Sequence, residues 1–106
     1  MSYMVKLPSK IRIAGAEYTV RQNKDTINSE FDTGEHSIVV GVKNSQPIEI
    51  LDRFFHEVLE CMATVYGLRY LDGSMQRVMI VMEHEQFSHL ITNFAEAIKD
   101  ITIKRS

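Results

Sequence analysis

Apolar and polar residues alternate from Lys10 to Arg21 on both sides of Gly15. Ile11 and Ile13 share one face of a first strand, Tyr18 and Val20 share one face of a second, and the glycine supplies the turn, so a β-hairpin is expected. Pro8 suits a chain entering an edge strand. Residues 22–35 are polar with scattered turn formers and read as a loop or a broken strand. Ser37-Ile38-Val39-Val40-Gly41 is rich in β-branched side chains and predicts a third strand. After Asn44-Ser45-Gln46-Pro47 the period changes to that of a helix. Leu51, Phe55, Val58, Met62 and Val65 form a stripe with Phe54, Leu59 and Tyr66 on its shoulders, which predicts a helix over about residues 48–66 capped by Gly67. Residues 67–74 read as a connector with a turn signal at Asp72-Gly73, and the apolar run 78–82 as either a strand or the approach to a helix. A second long helix is expected over about residues 83–101, with Phe87, Leu90, Ile91, Phe94, Ala97, Ile98 and Ile101 as its stripe. Glu83 and Glu85 at its start and Lys99 near its end agree with the helix dipole. The expected architecture is α+β: a small three-stranded sheet, made of the N-terminal hairpin plus one strand, packed with two long helices.

Composition narrows the picture without naming a function. At 106 residues, 44% hydrophobic and 25% charged, the chain has the size and balance of one globular domain spanning residues 1–106. A formal net charge of −2 and a pI near 6.1 provide no broad positive field for nucleic acid or anionic lipid. With no basic or aromatic platform and no glycine-rich phosphate loop, neither nucleic-acid binding nor nucleotide chemistry is expected. No apolar run is long enough to span a membrane, and none resembles a signal peptide. Cys61 has no partner for an internal disulfide, which fits a reducing, cytoplasmic setting.

Candidate chemistry gathers in the first helix, where Phe55-His56-Glu57-Val58-Leu59-Glu60-Cys61 reads as the zinc-peptidase motif H-E-x-x-H with glutamate at its second histidine. In the intact motif two histidines one turn apart hold zinc, and the intervening glutamate takes the proton from the attacking water. A carboxylate ligates zinc at about the same distance as an imidazole, roughly 2.0–2.2 Å, so Glu60 can take the vacated position. The helical wheel also places His56 and Glu60 opposite the apolar stripe, beside Glu49, Arg53, Glu57 and Thr64. Spacing alone reads more readily as an ordinary solvated face of that kind. Further ligands would have to come from the start of the second helix. There Glu85 and His89 form another carboxylate/imidazole pair four residues apart, but away from that helix's stripe. His84, at the border of the stripe, is easier to aim at a shared cleft. One arrangement has His56, Glu60 and His84 as ligands and Glu57 as base, with zinc as the cofactor or none at all. His36 is a weaker candidate for a substrate contact. Cys61 reads as a packing residue and the six methionines as adaptable core filler.

The order of these pieces resembles small phage and prophage proteins related to minimal zincin-like metallopeptidases. The hairpin over residues 10–18, the strand near Ile38-Val39-Val40, the His56-Glu57-Val58-Leu59 helix running to Tyr66-Gly67-Leu68, and the closing His84-Glu85-Gln86-Phe87 helix with Asn93 and Lys99-Asp100 carry the likeness. The resemblance implies His56 as first ligand, Glu57 as general base and Glu85 as an acidic third ligand, acting on a peptide or protein in the cytoplasm of a bacterial host. Position 60 departs from the family pattern. The expectation therefore divides between metal-dependent peptide hydrolysis and a catalytically inactive small interaction module or homo-oligomer that keeps the fold.

Overall fold

The computed structural model describes residues 3–72 and 77–105. In chain order these form β1 (Tyr3–Lys6), β2 (Lys10–Ile13), β3 (Ala16–Asn23), β4 (Glu30–Asp32), β5 (Ser37–Gly41), α1 (Pro47–Val65), β6 (Arg69–Asp72), β7 (Arg77–Ile80), α2 (His84–Ile98) and β8 (Thr102–Arg105). The architecture is α+β, as expected, but its sheet is larger than predicted. Four strands lie in the order β2-β3-β5-β4. The hairpin β2–β3 turns through Ala14 and Gly15, at φ 52° and 80°, the paired positive φ values of a two-residue type I′ turn. β5 returns parallel to β3, and β4 pairs antiparallel on the far side of β5. Residues 22–35, expected as a loop or a broken strand, contain both the end of β3 and an edge strand, so the second alternative holds. Pattern reading does not choose between the two because β4 is three residues long and shows two carboxylates to solvent around one partly buried phenylalanine.

Alternation sorts the sheet into two faces. Ile11, Ile13, Tyr18, Val20, Ile38 and Val40 are buried on the inner face against Phe54, Val58, Cys61, Met62 and Ala63 of α1. Full burial of such side chains contributes about 1.5–3 kcal/mol each, so this layer dominates the fold's stabilisation. Two antiparallel ribbons frame it. β1 pairs with β8 and ties the two ends of the described chain together, and β6 pairs with β7. The ambiguous run at 78–82 is thus resolved mostly as strand, and the expected connector supplies its partner. Gly73, in the expected Asp72-Gly73 turn, lies outside the described residues. The last helix stops at Ile98, three residues short of expectation, where Ile101-Thr102-Ile103 gives a β-branched run that prefers a strand.

α1 closely follows its predicted span and is fixed at both ends. The Gln46 backbone N–H donates to Glu49 Oε1 at 2.8 Å, and Arg53 Nη1 donates to the Gly41 carbonyl at 2.9 Å, tying the first turns to the end of β5. At the other end Gly67, at φ 71°, closes a Schellman motif: Leu68 N–H donates to Ala63 O at 2.8 Å and Gly67 N–H to Thr64 O at 3.1 Å. Its apolar arc is shared between two partners, the sheet and α2. Phe55 meets Phe94 edge-on, with ring centroids 5.4 Å apart. The expected single stripe lies between these two contacts, and the buried residues are accordingly Phe54, Glu57, Val58, Cys61, Met62 and Ala63, while Val65 is exposed. α2 buries only Leu90 and Ala97 fully. Phe87 and Ile91, expected in its stripe, stay 49% and 44% exposed. Among the described residues no helix is long and apolar enough to cross a membrane.

Candidate metal centre

The middle of α1 carries the candidate chemistry. His56 Nε2 lies 2.9 Å from Glu60 Oε2, one helical turn apart, with the histidine side chain 68% exposed and the glutamate 23%. Glu57 belongs to the opposite regime. It shares the buried face with Phe54 and Cys61, three residues before and four after, and is only 8% exposed. The expected grouping of Glu57 with the solvated face is therefore corrected: the sheet draws this part of the helix inward, and the carboxylate goes with it. One donor atom from each of His56, Glu57 and Glu60 lies within 4.8 Å of the others. Desolvation by burial raises the Glu57 pKa above the ordinary carboxylate range. His56 opposes that shift, and the negative charges of Glu60 and of Glu30 on β4 add to it.

Behind the cluster lies a second polar contact that sequence reading did not anticipate. The Tyr18 hydroxyl hydrogen-bonds to Cys61, one turn beyond Glu57, and its pKa is pushed up to about 12, first by burial and then by the thiol. Burial likewise raises the Cys61 pKa; the Tyr18 bond opposes this and the Glu57 charge adds to it. A fully buried thiol held protonated is a packing residue, as its sequence context suggested, and not a nucleophile. The only sequence signal for the pair was the inward phase of Tyr18 in β3, since a buried tyrosine needs a partner for its hydroxyl. His36 sits at the turn before β5. Its ring rests against Tyr18 at 4.9 Å between centroids, and it is not part of the cluster.

The second-helix candidates lie elsewhere. Phe94 of α2 faces Phe55 of α1, whereas Gln86 and His89 share a hollow of about 290 Å³ with Tyr66 and Leu68, so the helices run antiparallel. The start of α2 consequently lies past the C-terminal end of α1, about 15 Å of helical rise from His56. His84, Glu85 and His89 are all exposed there. Among the described residues, the structure brings His56, Glu57 and Glu60 together and leaves His84, Glu85 and His89 outside the group.

The three side chains are of a kind that could hold a divalent ion, with two donors, His56 and Glu60, short of the three protein ligands usual at a catalytic zinc. One imidazole nitrogen and one carboxylate oxygen are ligands zinc accepts, and donors on a tetrahedral ion stand about 3.4 Å apart, so His56 and Glu60 need to part by only roughly half an ångström. Glu57, with an oxygen within 4.8 Å of both donors, lies beside that pair. Comparison with protein-family models, curated proteins and solved structures finds no match to this chain.

Proposed function

We propose that this protein is a metal-dependent peptidase of zincin-like build, related to small phage proteins, in which His56 and Glu60 hold a zinc ion and Glu57 is the general base. The observation that carries the reading is a buried carboxylate within 4.8 Å of an imidazole/carboxylate pair on the same helix. A bound zinc would polarise the scissile carbonyl and make water a better nucleophile. The chain's own residues supply the remaining functions. Burial raises the proton affinity of Glu57, which brings it closer to the range where a base works at neutral pH. The hydrogen-bond distance between His56 and Glu60 holds both side chains in one orientation before an ion arrives. β4, whose Glu30 acts electrostatically on Glu57, is the last strand of its sheet among the described residues, and a sheet edge is where an extended peptide can pair.

The test is cleavage of a mixed synthetic peptide library, read by mass spectrometry, with zinc-loaded wild type and Glu57→Gln. Removing the base is expected to lower the rate by about 10²-fold or more. Equal cleavage by the two proteins contradicts the assignment. A second reading, an inactive interaction module or self-associating domain, draws on the exposed Phe87 and Ile91 of α2. It predicts that His56→Ala leaves folding and partner binding unchanged and that Phe87→Asp abolishes association.

A further inference from the structure

α2 gives little of its surface to the rest of the fold, and one whole ridge of the helix stays in solvent. Glu83, Phe87, Ile91, Ala95 and Lys99 follow at every fourth position from the N-cap to the C-cap, and all five are exposed. Rows of residues four apart are the ridges by which helices pack on one another. Phe87 and Ile91 leave 49% and 44% of their surface in water, an apolar area that a covering surface would remove.

The order of residues along the ridge identifies what covers it. Ile91 is the middle residue of His84–Ile98, and the ridge is complementary to itself about that point. With a second copy lying antiparallel across it and a two-fold axis at Ile91, residues equally far before and after Ile91 meet. Phe87 then falls on Ala95 of the second copy, a large side chain over a small one, and Glu83 falls on Lys99, an acid on a base. Symmetry makes each match twice. A parallel alignment would instead set Phe87 against Phe87, Glu83 against Glu83 and Lys99 against Lys99, crowding the middle and repelling at both ends. Lys99 already pairs with Glu96 of its own helix at 2.7 Å, with both side chains more than half exposed, so the charged contact fixes direction more than it adds affinity.

We infer that α2 is the docking face for a second copy of this chain, packed antiparallel about Ile91 with Phe87 seated over Ala95 and Glu83 facing Lys99. This names the partner for the self-associating reading and rests on it for the choice of face, while using no group of the α1 cluster. One helix face about 22 Å long covers less than the roughly 1,200 Å² of a standard interface, so the dimer is a weak one, with a dissociation constant on the order of 100 μM.

The experiment is sedimentation equilibrium of the wild type and charge variants from about 10 μM to about 1 mM, a range that brackets a weak dimer. Wild type is expected to dimerise with rising concentration and Phe87→Asp to stay monomeric. Glu83→Lys and Lys99→Glu are each expected to associate severalfold more weakly, because each sets like charges together at both ends, and an equimolar mixture of the two is expected to recover wild-type affinity. That recovery separates pairing between copies from any change in the capping of α2, which both variants would carry into the mixture. Ile91→Cys places the new thiols on the axis and is expected to form an intermolecular disulfide under mild oxidation. Phe87→Cys is not, since its two copies stand about 12 Å apart along the helix. Cys61 is fully buried and takes no part. A wild type that stays monomeric throughout overturns both this inference and the self-associating reading. Dimerisation that Phe87→Asp abolishes, but without recovery on mixing or with Phe87→Cys cross-linking as readily as Ile91→Cys, sustains self-association and overturns the antiparallel pairing.

Discussion

Two of the chain's imidazole/carboxylate pairs with four-residue spacing, His56 with Glu60 on α1 and Glu85 with His89 on α2, have different surroundings. The first pair is closed at 2.9 Å and backed by buried Glu57. Around the second, every residue from Glu83 to His89 is exposed, and among the described residues no ion pair joins Glu85 to His89. α1 is clamped between a four-stranded sheet and a second helix, whereas the start of α2 extends beyond its neighbour's end. Two polar groups one turn apart become a candidate site when packing forces a third beside them; on a free helix end they remain solvated side chains.

This contrast predicts unequal responses to equal changes. Phe54→Ala, in the turn that holds the α1 cluster, is expected to cost about 3–5 kcal/mol, while Phe87→Ala in the corresponding part of α2 should change stability by no more than about 0.5 kcal/mol; urea unfolding measures both. Comparable losses would mean that α2 is as firmly packed as α1. Glu57→Gln should act in the opposite direction. The folded-state pKa of this carboxyl lies above its unfolded value, so the native protein binds the proton more tightly, and stability falls as pH rises from the ordinary carboxylate range through the raised folded value. The neutral variant should therefore melt a few degrees higher than wild type at pH 7, with the difference vanishing below about pH 4. A gain that persists at low pH would locate the effect outside this proton. The smallest effect is expected at the second pair, where His89→Ala should leave both the melting temperature and metal binding at their wild-type values.

Local pattern made the hairpin, β5 and the span of α1 legible in the sequence, because alternation, β-branching and the Pro47 and Gly67 signals act within a few residues. For residues 22–35 the pattern left a loop or a broken strand open, because β4 is only three residues long, and the pairing of β1 with β8 was not legible, since it joins partners distant in the chain. The His56/Glu60 pair followed from helical spacing alone. The burial of Glu57 did not: the apolar arc of α1 serves two partners, and an averaged stripe misjudges the rotation by enough to place a carboxylate outside instead of inside. Which end of α2 approaches His56 was likewise invisible, because the β6–β7 ribbon between the helices turns α2 antiparallel and carries His84 and Glu85 away from the cluster.

Elemental analysis of zinc in protein purified without chelator and without a metal-binding tag tests the central claim most directly, on wild type, His56→Ala, Glu60→Ala and His89→Ala. The α1 cluster predicts near-stoichiometric zinc in wild type and His89→Ala and its loss in the other two. Zinc retained by His56→Ala, or no zinc in wild type, would contradict it.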